Sequence, residues 1–500
     1  MKESAVTQTV HLSLQRRGAI LLISCYELGH QPLAIAQPLG FLEDAGYQPH
    51  CLDVSIEPLD EVAVSQAQFI GIAVPMHTAL RLGMRVAEMV RTLNPNCHIC
   101  FFGLYASLNA EYLLQHVADS VIGAECEAIL VKLVRALDMP GAQGMKELDG
   151  VSIRGRINNP VLGRLPAIIP IPSRRELPPL TRYAKLEHKG VQRLVGYVEA
   201  SRGCLHLCLH CPIVPVYNGR LILISETSVL EDIRRLVQNG ATHITFGDPD
   251  FLNGPGHSMR ILRSMHAEFP YLTFDFTAKI EHILERRSLF EEMHGLGCLF
   301  VISAVESFSN LVLSRLNKGH TREDIFEALT ICRTAGIALR PSLVAFTPWT
   351  SLHDYLEMFE LVASHDLVDA VDPVQYTIRL LVPPGSALLR QGDIGMFLQP
   401  LVEANFQYPW SHPDARMDRL HELVGAAAQD GTQKDESPDA LFHRLREFAY
   451  EMSGLPAPPT YPKPFGAREK APRLTESWFC CAEPTQGQLR PLRSTGHEAI

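Results

Sequence analysis

Twice along the chain, short runs of β-branched and apolar residues alternate with amphipathic stretches long enough for helices, the pattern of parallel sheets wound with helices. The first series predicts strands at 19–24, 50–54, 69–75, 98–103 and 120–123. Helices are predicted between them at 33–45, 78–93, 110–117 and 126–137, with Gly46 where a helix would stop. The second series predicts strands at 195–199, 242–246, 272–277, 299–303, 338–344 and 374–378, separated by helices such as 228–239 and 322–335. The fold class is therefore α/β: a Rossmann-like or flavodoxin-like domain over 18–140, a proline-punctuated linker over 141–190, and a partial barrel of six βα units over 191–400. A helical region over 401–455 and a Pro-rich connector with an irregular tail over 456–500 complete the chain. Chemistry in such a barrel belongs at the C-terminal ends of its strands.

At 500 residues the chain is too long for one core. Its 46% hydrophobic and 20% charged residues exclude a disordered chain, and no apolar run approaches the ~18 residues of a membrane span. Residues 1–17 lack the charged-then-apolar order of a secretion signal, so a cytoplasmic location is expected. Twelve cysteines would there be reduced, and their spacing points to metal or redox chemistry before disulfides. A net charge of −10 gives no electrostatic footprint for a nucleic-acid partner.

The strongest local signal is Cys204-Leu-His-Leu-Cys208-Leu-His-Cys211, directly after the first strand of the second series. Three thiolates in one loop can each bind one iron of a 4Fe-4S cube and leave the fourth iron open for chemistry. The competing reading is a zinc site with His206 or His210 as fourth ligand, but a tight one-loop zinc knot does not usually follow a barrel strand. Spacing and placement together resemble the radical S-adenosylmethionine (SAM) superfamily. That resemblance implies a cluster held by Cys204, Cys208 and Cys211, an open iron chelating SAM, and reductive cleavage of a carbon-sulfur bond. It also implies an electron donor such as flavodoxin or ferredoxin. His210 stands where the family usually has an aromatic residue, and an imidazole can likewise pack on an adenine.

A radical precursor must be held rigidly, so polar groups are expected at other strand ends. Gly247-Asp248-Pro249-Asp250 matches in position the family's Gly-Gly-Glu motif for the methionyl amine, with Asp248 and Asp250 both open as the working acid. Glu306-Ser307 resembles the ribose-binding segment, and Leu316-Asn317-Lys318-Gly319 strengthens the likeness. Arg340 and the loops at 346–349 and 381–386 divide evenly between turn chemistry and substrate contact.

A Rossmann-like domain ahead of such a barrel is similar to the cobalamin-binding subgroup of the superfamily. Gly123-Ala124-Glu125-Cys126-Glu127 matches its Gly-x-Glu-type turn, where a helix N-terminus could receive a cofactor edge. The Asp-x-His-x-x-Gly signature for a lower cobalt ligand is absent, as in many members, and so is the Gly-x-Gly-x-x-Gly fingerprint of dinucleotides. His30 and His77 are expected to be ordinary loop or helix-start residues, not cobalt ligands, and Cys97 and Cys100 buried core thiols on opposite strand faces.

Near the end stands Trp478-Phe479-Cys480-Cys481-Ala482-Glu483-Pro484. Adjacent thiolates suit soft, thiophilic centres. The stretch resembles the CUAEP/CCAEP-tail radical SAM family, and with it the radical SAM enzymes of arsinothricin biosynthesis. The reading this supports is transfer of a 3-amino-3-carboxypropyl group to a thiophilic substrate such as arsenite, with Cys480 and Cys481 delivering it to the radical. Two alternatives stand beside it: a cobalamin-dependent radical methyltransferase, and a non-catalytic zinc- or metalloid-binding protein.

Overall fold

The computed structural model describes residues 13–139, 147–162, 169–390, 393–459 and 470–476. Five strands of the first domain, β1 (Ile20–Ser24), β2 (His50–Asp53), β3 (Phe69–Ala73), β4 (His98–Phe102) and β5 (Ser120–Ile122), form a parallel sheet in the order 2-1-3-4-5. That is the flavodoxin-like order, whose switch point lies between β1 and β3. The strands are mostly apolar because helices cover both faces, with polar residues at their ends (Ser24, His50, Asp53, His98 and Ser120); β1 and β3 are buried at every position. Cys97 and Cys100 are buried on this sheet, and burial pushes both thiols up to about 12.

The proline-rich connection holds more order than its composition suggests. A short strand β6 (Val151–Ile153) adds antiparallel to β5, and β7 (Lys185–His188) pairs antiparallel with the first long strand of the next sheet.

That second sheet consists of β8 (Val191–Val198), β11 (His243–Phe246), β12 (Thr273–Thr277), β13 (Cys298–Glu306) and β14 (Ala338–Leu343), all parallel, in the order 14-13-12-11-8. Between β8 and β11 a small hairpin, β9 (Ser201–Gly203) with β10 (Leu221–Leu223), closes the loop that carries the cysteines. One continuous core packs the helices against the open sheet, and within it Phe246, Phe251, Phe274 and Phe276 meet in tilted and edge-on ring contacts.

The sixth barrel strand predicted at 374–378 does not form. Pro373–Thr377 is a 3-10 helix instead. Pro373 fixes its own φ and has no N–H to give a ladder. The free edge of β14 is met by a side chain, the Gln375 carbonyl accepting from the Leu343 N–H at 2.9 Å. Among the described residues only an isolated bridge between Phe346 and Arg379 continues the sheet direction, and they give the barrel five parallel strands and an open side.

Two helices, Ala415–Gln433 and Pro438–Ser453, follow the barrel. The tail then returns: β15 (Arg473–Leu474) pairs antiparallel with β7. Among the described residues no helix is long and apolar enough to cross a membrane.

Candidate active site

The carboxyl ends of both parallel sheets face one cavity of about 330 Å³. Glu27, His30, Pro75, Tyr105 and Cys126 line it from the first domain; the cysteine loop and the ends of β11, β12 and β13 line it from the second. All three loop cysteines reach it, with Cys208 buried and Cys204 and Cys211 partly so.

The loop is shaped by its entry and fastened at its turns. It leaves β9 at Gly203, whose φ is +75° and where a Cβ would stand 2.3 Å from the Arg220 carbonyl oxygen, so only glycine fits. The Leu209 N–H donates to the Leu316 carbonyl at 3.0 Å, and the Asn317 amide to the Leu207 carbonyl at 3.1 Å. The Leu-Asn-Lys-Gly stretch therefore buttresses the cysteine loop. Asn253 adds a contact of 3.5 Å from Nδ2 to Cys204 Sγ.

Burial pushes the Cys204 thiol up to about 11 and the Cys208 thiol above its ordinary value, with Lys318 and Lys279 pulling the latter back. Iron overrides such shifts, because a coordinated thiol is deprotonated outright. Three thiols on one loop, with two ammonium groups beside them, fit an anionic iron-sulfur cluster.

His210 is buried, and its Nε2 lies 3.0 Å from Glu306 Oε1, which also takes Lys318 Nζ at 3.2 Å. Burial alone would raise Glu306, but Lys318 and His210 outweigh it and hold the carboxyl at about 2. Glu306 is therefore an anion at any working pH, and Oε1 is shared before any ribose arrives. It sits at φ +65°, the left-handed region that ends β13 and turns the side chain toward the cavity. Ser307 is not brought to the cavity; its hydroxyl accepts from the Ser309 N–H at 3.1 Å in a local turn.

The two candidate acids after β11 part company. Asp248 and Gly247 line the cavity. The Asp248 carboxylate accepts from the Ala200 N–H at 2.9 Å and from the Ser201 hydroxyl at 2.5 Å, pinning the end of β8. Gly247 is needed because Tyr197 fills the place of its Cβ, the phenol oxygen 2.1 Å away. Asp250 is fully buried and faces His206 and His282. Cys480 and Cys481 lie outside the described residues.

Spacing alone does not reveal the Arg202 cluster. Arg202, two residues before the loop, sends Nε to Glu199 at 3.0 Å, Nη1 to Glu125 at 3.3 Å and Nη2 to Glu127 at 2.7 Å. Tyr217 donates to the other Glu125 oxygen at 2.6 Å. The Gly-Ala-Glu-Cys-Glu turn of the first domain is thus locked to the second by charge. Lys279 also escapes a search for acids and thiols, although a lysine two residues past β12 is a usable signal; Lys318 stood in the Leu-Asn-Lys-Gly stretch, but its pairing with Glu306 is visible only in the structure.

Burial pushes Asp248 up to about 7 against the pull of its donors, and Glu27 up to about 8 against the N–H groups of Ala34 and Leu33. Both carboxyls are therefore neutral in the folded protein where an unfolded chain has already lost the proton. Their contribution to stability is complete below about pH 4 and lost as pH rises through 7 to 8. The thermal midpoint of the protein is expected to fall from pH 5 to 8 and to level off above. The double variant Asp248→Asn, Glu27→Gln should flatten that slope, and an equal slope in both proteins would contradict the assignment.

Residues 198–361 match the family model of the Radical SAM superfamily. The second domain, with its open parallel sheet and three-cysteine loop, fits a radical SAM core, and the cofactors of that family are a 4Fe-4S cluster and SAM. Among curated relatives, the chain is 24% identical over 343 residues to the hopanoid C-3 methylase of Methylococcus capsulatus, covering 66% of this chain and 63% of that protein. It is 28% identical over 200 residues to a tRNA-2-methylthio-N(6)-dimethylallyladenosine synthase of Chlorobium limicola, covering 38% and 45% respectively. The chain thus spans less than two thirds of the length of either. Among solved structures, the cobalamin-dependent SAM radical enzyme OxsB with aqua-cobalamin matches with a TM-score of 0.67 at 15% identity, over 87% of this chain and 72% of that one. The radical SAM methyltransferase TsrM from Kitasatospora setae, with cobalamin and a [4Fe-4S] cluster, matches with a TM-score of 0.56 at 16% identity, over 69% and 73%. At these identities the likeness is one of fold.

Proposed function

We propose that this radical SAM enzyme is a transferase that methylates its substrate with the help of a corrinoid held on the first domain. The observation that carries the reading is the shared cavity: the strand ends of the first sheet face the cysteine loop across a single space. Ligands of open α/β sheets sit at the carboxyl ends of the strands, and here those ends form one wall. The relatives support the same reading, since OxsB and TsrM are described with cobalamin and the hopanoid relative is a methylase.

The residues present fit such a cofactor as a packed wall. Pro75, Met76, Leu104 and Tyr105 offer an apolar surface, and Gly103, at φ +111°, brings backbone close to the space. Among the described residues of the first domain, neither His30 nor His77 is poised as a lower ligand: His77 Nε2 is 3.0 Å from the Asn405 carbonyl, and His30 stacks on Tyr197 with ring centres 4.5 Å apart. Burial pulls both imidazoles down to about 4, so both are neutral. When bound, a corrinoid would supply a transferable methyl group, and flavodoxin or ferredoxin is the class of reductant required. The chain's own part is to fix the cluster loop through Leu316 and Asn317, hold anionic Glu306 against Lys318 and His210, and exclude water with the first-domain wall.

The test is anaerobic reconstitution with iron, sulfide and hydroxocobalamin, followed by product analysis with labelled SAM. About one retained corrinoid per chain, with S-adenosylhomocysteine and 5′-deoxyadenosine as products, is the expected result. A protein that retains no corrinoid would remove this reading.

One observation favours aminocarboxypropyl transfer to a thiophilic substrate such as arsenite as the second reading. The strand β15 leads to Glu476, which accepts from the Tyr26 hydroxyl at 2.6 Å beside Glu27 at the cavity rim. Cys480 is the fourth residue beyond in sequence and lies outside the described residues. This reading expects methylthioadenosine as the SAM product when arsenite is present. Cys480→Ser with Cys481→Ser should abolish that product, and unchanged yield in the double variant would dismiss it.

A further inference from the structure

Three side chains from separate parts of the second domain converge behind the cysteine loop. His206 lies in the middle of that loop, Asp250 in the turn after β11, and His282 in the helix Ile280–Glu285. One ligand atom of each falls within 4.8 Å of the other two. Asp250 Oδ2 is 2.8 Å from His282 Nδ1 and 3.5 Å from His206 Nε2. Asp250 has no exposed surface, and its other oxygen accepts from the Leu252 N–H at 3.0 Å.

The His206 Nε2 atom is buried and makes no hydrogen bond. An unsatisfied buried nitrogen costs roughly 1–3 kcal/mol, so something should occupy the space it faces. Ligands on one ion with bonds of about 2.1 Å stand about 3.0 Å apart at right angles and about 3.4 Å apart in a tetrahedron, so separations of 2.8 and 3.5 Å lie close to adjacent positions on one ion. The outer surroundings agree. Glu281 Oε2 lies 3.6 Å from His206 Nδ1, the ring nitrogen turned away from Asp250, and is ion-paired with Lys279. A carboxylate behind the far nitrogen is the arrangement that orients a metal-binding imidazole.

We propose that His206, Asp250 and His282 bind one divalent cation of the zinc class, separate from the iron held by the three cysteines. Two imidazoles and one carboxylate form a borderline donor set of the kind found in zinc and ferrous sites. Because His206 also lines the cavity, the ion keeps a coordination position open on that side. It also clamps the middle of the cysteine loop to the ends of β11 and β12, which a hydrogen bond from one imidazole does less firmly.

The full chain, reconstituted anaerobically with its cluster, is given one equivalent of zinc and then desalted. The expected result is about one zinc per chain beyond the cluster iron, and a zinc absorption edge showing only nitrogen and oxygen neighbours near 2.0–2.1 Å. His282→Ala and Asp250→Asn should each lower retained zinc at least about tenfold while the iron content stays, as expected for loss of a metal-site group. No retained zinc, sulfur neighbours near 2.3 Å, or undiminished zinc in both variants would overturn the site and leave a hydrogen-bonded relay. Should a variant lose iron as well, the absorption edge of the unsubstituted protein decides alone.

Discussion

Cys208→Ala is expected to leave the protein folded and colourless. Cys208 is the most buried of the three loop thiols and the one whose charge both Lys279 and Lys318 offset. Two cysteines cannot retain a cube that needs three, so iron after anaerobic reconstitution should fall below a tenth of the unsubstituted level. SAM cleavage should fall by more than about 10³-fold, beyond the 10–100-fold loss usual when only an outer partner of a metal ligand is removed. Lys318→Met supplies that comparison. It deletes the ammonium at 3.2 Å from Glu306 without touching a thiol, so iron should stay and cleavage should drop by about 10–100-fold. Full iron in Cys208→Ala, measured together with the circular dichroism of the fold, would remove the cluster assignment.

The fold was legible wherever burial on both faces forced apolar strands. The first sheet shows this: β1 to β5 fall within one or two residues of their predicted positions, because a strand covered by helices on both faces is predominantly apolar and its few polar residues fall at its ends. The segment at 374–378 fails the same test for a local reason. Val374 and Ile378 look like strand residues, yet Pro373 and the side chain of Gln375 satisfy the edge of β14 another way. The two-residue strand β15 has no pattern of its own, since its order comes from pairing with β7 nearly three hundred residues earlier.

The candidate site divides along similar lines. Thiols at short spacing are visible because sequence proximity is spatial proximity within one loop. Asp250 and His206 are 44 positions apart, and only the parallel register of β8 and β11 brings their loops together. Glu306 was visible as an acid at a strand end, but its partners His210 and Lys318 lie in other segments. What an acid at a strand end can do depends on which cation has already claimed it, and a single sequence does not record that claim.

Arg202→Met should have the largest effect on stability of any single change at the junction of the two domains. Glu199, Glu125 and Glu127 all converge on this guanidinium, and the Glu125 and Glu127 side chains are only 7% and 6% exposed. Removing the one cation leaves three carboxylates facing one another with little water, the circumstance in which breaking a buried ion pair costs about 3–5 kcal/mol. At roughly 2–4 °C per kcal/mol for domains of this size, the thermal midpoint should fall by about 6–20 °C. The loss should be repaired in part by adding Glu125→Gln and Glu127→Gln, because neutral amides no longer need the charge. Should Arg202→Met melt within about 1 °C of the unsubstituted protein, the cluster contributes as little as an exposed surface pair, and the two domains are joined by apolar packing. A drop that the glutamines fail to rescue would instead assign the effect to the lost aliphatic stem of the arginine.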